Sequence, residues 1–119
     1  MLRTINTVEK NLVPERANII AVGAADTVVL KDRTQSNSGL VDSALDCAYE
    51  FAYILIQNVG ANNVYYAFGQ TCDPTNSASG YHGILAPLST LPVSSTCAVH
   101  CYSTGNSSVA ITIFKRIGL

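Results

Sequence analysis

The sequence predicts an all-β domain, an antiparallel β-sandwich or jelly-roll-like fold with an extended amino-terminal arm. Three observations carry this. Short apolar and β-branched runs recur between polar turns rich in Gly, Asn, Ser and Pro. Charged residues make up only 13% of the 119 residues while hydrophobic ones reach 48%, so Asn, Ser and Thr supply the polarity, as suits turns and packed surfaces. The run YILI, residues 53–56, is apolar on both parities, with Tyr53 and Leu55 on one side of the pleat and Ile54 and Ile56 on the other. Such a strand is covered on both sides, and in a chain this short the second cover is expected from a neighbouring copy.

The organisation read from the chain is an arm over 1–17 and one sandwich domain over 18–119. Pro14 forbids a helix interior and biases Val13 toward extended backbone, so the segment reads either as a frayed terminus or as an arm that packs on an adjacent subunit. Residues 18–22 and 27–30 flank Gly23-Ala24-Ala25-Asp26 and read as a first hairpin. A polar loop follows over 31–38, with one helical turn expected at 40–45. Residues 48–58 and 63–69, joined through Gly60-Ala61-Asn62-Asn63, read as the central hairpin. QTCDPTNSASGY, residues 70–81, is a long surface loop. Residues 83–86 form a short strand ended by Pro87. Residues 93–102 and 109–114 make a third hairpin, with Cys97, Val99 and Cys101 on the face shared with Val109, Ile111 and Ile113, and His100, Tyr102 and Thr112 on the other. Seven to eight short strands of this kind favour a sandwich or jelly roll.

Several chemistries find little footing. A net charge of −1 with seven scattered basic residues gives no electrostatic grip on nucleic acid. No apolar window is long enough to span a membrane, and the start MLRTINTVEKNLVPER has no secretory character, so synthesis and assembly in a cytoplasm is the expectation. The four cysteines, Cys47, Cys72, Cys97 and Cys101, are then expected to be reduced thiols acting as small apolar groups. Cys97 and Cys101, four positions apart on one expected strand, lie about 13 Å apart. That separation is too wide for a disulfide or a shared tetrahedral zinc, and His100 points away from both. His82 completes no ligand set, and metal and cofactor are both expected to be absent. His82 or His100 with Asp73 is the nearest approach to a triad, yet no GxSxG elbow or phosphate-binding glycine loop accompanies them. Tyr49, Tyr53, Tyr65, Tyr66, Tyr81 and Tyr102 read as core and interface tyrosines, with a sugar-stacking platform as the alternative, weakened by the absence of Trp.

Over residues 53–114 the order of motifs resembles that of the small β-sandwich decoration or cement proteins of tailed bacteriophages. The residues concerned are Ile56-Gln57-Asn58-Val59-Gly60, Asn63-Val64-Tyr65, Phe68-Gly69, Leu85-Ala86-Pro87-Leu88-Ser89, Tyr102-Ser103-Thr104-Gly105 and Val109-Ala110-Ile111. Leu88 stands where such proteins carry glycine. The resemblance implies a non-enzymatic virion protein on the capsid surface, a homotrimer that clamps subunits of the major capsid protein. The rival is a carbohydrate- or receptor-binding β-module of a tail fibre, or another small head or tail structural protein. Interface candidates are Leu2, Ile5, Val8 and Leu12 of the arm and Tyr53, Ile54, Leu55 and Ile56 of the central strand.

Overall fold

A computed structural model describes residues 12–32, 53–93 and 97–116. They form eight strands: β1 (Leu12–Val22), β2 (Thr27–Leu30), β3 (Tyr53–Asn58), β4 (Val64–Phe68), β5 (Gly83–Leu85), β6 (Thr90–Val93), β7 (Val99–Tyr102) and β8 (Ser107–Arg116). Two antiparallel four-stranded sheets pack face to face, a front sheet ordered β1-β8-β3-β6 and a back sheet ordered β2-β7-β4-β5. This order is that of a jelly roll, and the expected all-β sandwich is what the chain forms. Ile20, Val22, Ile54, Ile56, Ile111 and Ile113 of the front sheet meet Val29, Leu30, Val64, Leu85, Val99 and Cys101 of the back sheet in one core.

Three expected hairpins are corrected by the topology. β1 and β2, β3 and β4, and β7 and β8 each lie in opposite sheets, so their connections are arches that cross the sandwich. Gly, Asn and Ser serve an arch as well as a hairpin, and each pair of apolar runs gains more by facing across the core than by lying edge to edge. The strand partners are instead distant in sequence, as in Ile54 opposite Ile113 and Ile56 opposite Ile111.

Two boundaries also move. The sheet begins at Leu12, which pairs with Arg116, so residues 12–17 belong to β1 and not to an arm. Pro14 is tolerated because β1 is an edge strand whose register shifts between Pro14 and Arg16. Residues 90–93 form β6 in spite of Pro92, again because β6 lies at a sheet edge. Cys97 precedes β7, so it does not share a strand with Cys101. The expected helical turn at 40–45 and residues 1–11 lie outside the described residues.

Four connections gather at one end of the sandwich: 23–26, 59–63, 86–89 and 103–106. Asn58, fully buried, ties the 59–63 connection to the end of β5 and the start of β8. Its Nδ2 donates to Asn62 O (2.7 Å) and Leu85 O (2.9 Å), while its Oδ1 accepts from Gly60 N (3.1 Å) and Ser107 Oγ (2.7 Å). Asn62 Nδ2 donates in turn to the carbonyls of Gly105 and Asn106, and Ser103 N donates to Gly23 O (2.8 Å). Gly60 has no room for a side chain, since a Cβ there would overlap Ser107 and come within 2.8 Å of Ser108 N.

Candidate assembly surface

The outward face of the front sheet follows from its register. Ile19, Ala110, Gln57 and Thr90 form one cross-strand row, and Ala17, Thr112, Leu55 and Pro92 form the next. Ala21 and Ser108 continue it toward the loop end, and Tyr53 and Phe114 lie at the other end with ring centroids 5.9 Å apart. None of these residues carries a charge. Ile19 is 66% exposed and Tyr53 37%. Among the described outward residues this lack of charge is unusual for solvated sheet, where alternate outward positions are normally polar.

Strand β1 closes one edge of this face. The N–H of Ile19 is taken by the side chain of its neighbour, Asn18 Oδ1, at 2.9 Å. This occupies a donor that would otherwise invite another strand and steers association away from edge pairing.

Two of the four central-strand candidates lie on this face and two do not. Tyr53 and Leu55 point outward, whereas Ile54 and Ile56 are buried in the core, so they are corrected from interface to core residues. The both-sided apolar pattern thus divides by parity, one side for the core and the other for the outward face. Leu12 starts β1, and Leu2, Ile5 and Val8 lie outside the described residues.

Leu88, noted in the sequence as standing where glycine is expected but not as an interface candidate, lies at the corner of this face. Ala86-Pro87-Leu88-Ser89 is a type II turn closed by Ser89 N to Ala86 O at 3.0 Å, with Leu88 at φ +68°. Glycine is the usual occupant, and a branched side chain there costs about 1 kcal/mol or more. Leu88 is nonetheless 74% exposed. Asn106, the other non-glycine at positive φ, is of a type that adopts it readily. The signal in the sequence was Pro87 followed by a non-glycine.

The potentially reactive residues gather behind the back sheet in a different arrangement from that expected. His100 pairs with Asp26, not Asp73: its Nδ1 lies 3.1 and 3.0 Å from the two carboxylate oxygens. Asp26 Oδ1 also accepts from Cys72 N at 2.8 Å, which pins the 69–82 connection and the β1–β2 arch onto β7. Cys72 is fully buried, and burial, then Asp26 and Asp73, pushes its thiol up to about 11. Burial, then Cys72 and Asp26, pushes the Cys101 thiol up as well. Asp26 reaches His100 through its ring and Cys72 through its backbone N–H, so this cluster braces the 69–82 connection against β7. Among the described residues no three His, Cys, Asp or Glu side chains are grouped to hold a metal.

The tyrosines do not form one platform. Tyr53 lies on the front face, Tyr65 meets Tyr81 edge to face at 4.8 Å, and Tyr66 packs against the core beside Phe68, over Gly83. Tyr102 is buried with Ala67 and Cys72. His82 Nδ1 accepts from Phe68 N at 2.9 Å and its ring stacks on Phe68. Tyr49 lies outside the described residues.

No protein-family model, curated protein or solved structure matches this chain.

Proposed function

We propose that this protein is a non-enzymatic structural component of a virus particle, a decoration or cement protein that assembles as a homo-oligomer, a trimer by the resemblance, and braces neighbouring subunits of the major capsid protein. The observation that carries this reading is the front face: a sheet surface with Ile19, Leu55, Tyr53 and Phe114 on it, whose described outward residues carry no charge. Surfaces of this composition bury themselves against protein. The eight-stranded jelly roll is an architecture that viral capsid proteins use repeatedly, which adds weight by analogy of fold. The raised thiols of Cys72 and Cys101 leave the buried cysteines to packing.

The test has two arms. Purified particles are digested and the copies of this protein counted by mass spectrometry against the major capsid protein, with a fixed stoichiometry near capsid copy number as the expected result. The isolated protein is examined by sedimentation velocity, where a discrete oligomer is expected. Absence from particles together with a monomer at all concentrations refutes the reading.

A further inference from the structure

We propose that His82 is an acid-released clasp on the 69–82 connection: with its ring neutral it fastens the end of that connection to β4, and with its ring protonated it lets go, while the start of the connection stays fastened through Asp26 and His100. The inference is independent of the assembly reading.

The connection is built as one body with few attachments. Within it, Asp73 N donates to Gly80 O at 2.9 Å, Gly80 N to Asn76 O at 2.9 Å and Gln70 Nε2 to Ser79 O at 2.8 Å. Asp73 Oδ1 accepts from Thr75 N and Asn76 Oδ1 from Ala78 N, each at 2.9 Å. Among the described residues it is bonded to the rest of the sandwich only near its two ends. At the start, Gly69 N donates to Ala98 O at 2.8 Å, Cys72 N donates to Asp26 Oδ1 at 2.8 Å, and Cys72 is buried against Ala67 and Tyr102. At the finish, His82 N donates to Tyr66 O at 2.8 Å, His82 Nδ1 accepts from Phe68 N at 2.9 Å, and Tyr81 sets its ring against Tyr65.

The chain has two histidines, and they serve opposite ends of this connection in chemically opposite ways. A backbone N–H is a donor at every pH, so the bond from Phe68 fixes His82 Nδ1 as a bare acceptor and puts the ring proton on Nε2. A proton on Nδ1 sets a donor against a donor, and the bond is lost. His100 turns its Nδ1 to a carboxylate, with the Asp26 oxygens at 3.0 and 3.1 Å, so a second proton on that ring adds charge attraction and the contact is kept. The groups around each ring agree with this. Beside His82 stand Phe68, stacked on it, with Tyr66 from β4, its hydroxyl over Gly83, and Tyr81 from the connection; among the described residues no carboxylate lies within ion-pair distance to hold an imidazolium there. Beside His100 stand Asp26 from the β1–β2 arch and, around Asp26, Cys72 and Asp73 from the connection and Cys101 from β7.

Release at His82 reaches beyond one ring. His82 leads directly into β5, a three-residue edge strand paired with β4 alone, so the loosened segment includes the attachment of the back sheet's shortest strand. The front sheet takes no part.

The experiment is an NMR titration of full-length ¹⁵N-labelled protein from pH 8 to pH 5, the span over which histidine ordinarily changes charge. At pH 8 the ring nitrogens of His82 should read as bare Nδ1 and protonated Nε2. As pH falls, the Phe68 amide resonance should move with the same midpoint as the His82 ring. Protection of that amide against hydrogen exchange, corrected for the intrinsic effect of pH on exchange, should drop about fivefold while the Cys72 amide keeps its own. His82→Ala, with thermal melting to establish that it folds, should abolish the titration of the Phe68 amide and leave it poorly protected throughout. A proton on His82 Nδ1 at pH 8, Phe68 protection that is unchanged across the His82 titration, or an equal loss of protection at Cys72 overturns the inference.

Discussion

Replacing Asn58 with Ala is expected to weaken the fold far more than its single lost amide suggests. The Asn58 side chain makes four hydrogen bonds, of which those to Leu85 O and Ser107 Oγ are buried and those to Asn62 O and Gly60 N are partly buried. Each buried group left without a partner costs about 1–3 kcal/mol. The two buried partners set the scale, the two outer ones are rehydrated at smaller cost, and the sum is about 3–5 kcal/mol. A domain with a total stability of about 5–15 kcal/mol loses a large part of it. Urea denaturation followed by fluorescence of the six tyrosines reads this directly; with a slope of about 2 kcal/mol per M, the midpoint falls by about 2 M. Asn62→Ala, whose lost bonds are exposed, is the internal control and should cost about 1 kcal/mol or less.

Asn58→Asp sharpens the same test. The amide nitrogen faces two carbonyl oxygens, so an aspartate would set a buried carboxylate against both. Burial and those carbonyls raise the carboxyl's pKa in the folded state above the unfolded value of about 3.9. The variant is therefore least handicapped below about pH 4 and loses stability as pH rises through the folded-state value. An Asn58→Ala midpoint equal to wild type, or no larger a loss than Asn62→Ala, would show that this hydrogen-bonded hub does not hold the loop end together.

Three further outcomes follow from the geometry. Ile111→Asp puts a charge in a fully buried core position opposite Ile56, at a cost of several kcal/mol, and should abolish the cooperative melt; a soluble variant with an unchanged melting temperature refutes the inward face. All four cysteines are expected to alkylate under denaturing, non-reducing conditions, whereas in native protein at pH 8 Cys72 and Cys101 stay unlabelled because both are buried and their thiols are raised, Cys72 to about 11; loss of two or four labels after denaturation overturns the expected reduced state. Removing residues 1–15 cuts the paired start of β1 and should lower the melting temperature as well as weaken particle binding; equal particle binding by full-length and truncated protein sinks the docking role of the amino terminus.

Much of the fold was legible because strand-forming runs and the parity of their apolar residues are local properties. Val109, Ile111 and Ile113 announce an inward face in the sequence, and they are buried. Which strand pairs with which is not local. Gly60-Ala61-Asn62-Asn63 serves an arch as well as a hairpin, and only the burial of β3 and β4 in opposite sheets distinguishes the two. Edge position likewise cannot be read in advance, so the sequence alone puts Pro14 in an arm and begins a strand only after Pro92, whereas each sits within an edge strand. Half of the candidate surface was legible through Tyr53 and Leu55. Its other ridge, Ile19 on β1, and its corner, Leu88, depend on long-range register and on a backbone angle that sequence does not display.

The crossings also account for a composition poor in charge and rich in Asn and Ser. Consecutive strands of a jelly roll that change sheet leave their connecting backbone without a ladder, and each unpaired N–H or C=O near the core needs a partner. A short amide or hydroxyl can reach such a group without leaving the turn, whereas Lys and Glu carry their polarity too far out and cost more to bury. Asn58, Asn62, Ser103 and Ser107 do this at the loop end: Ser103 Oγ donates to Asn63 O at 2.8 Å, and Ser107 Oγ donates to Asn58 Oδ1 at 2.7 Å. Apart from Asp26, which binds Cys72 and His100, charge is therefore displaced from the loop end by backbone satisfaction, and it is missing from the described outward residues of the front face by a second cause, since no crossing requires Ile19, Ala110, Leu55 or Pro92 to be uncharged. The loop end explains the asparagines and serines through stability alone. The front face has no such internal explanation, and contact with another protein surface supplies one.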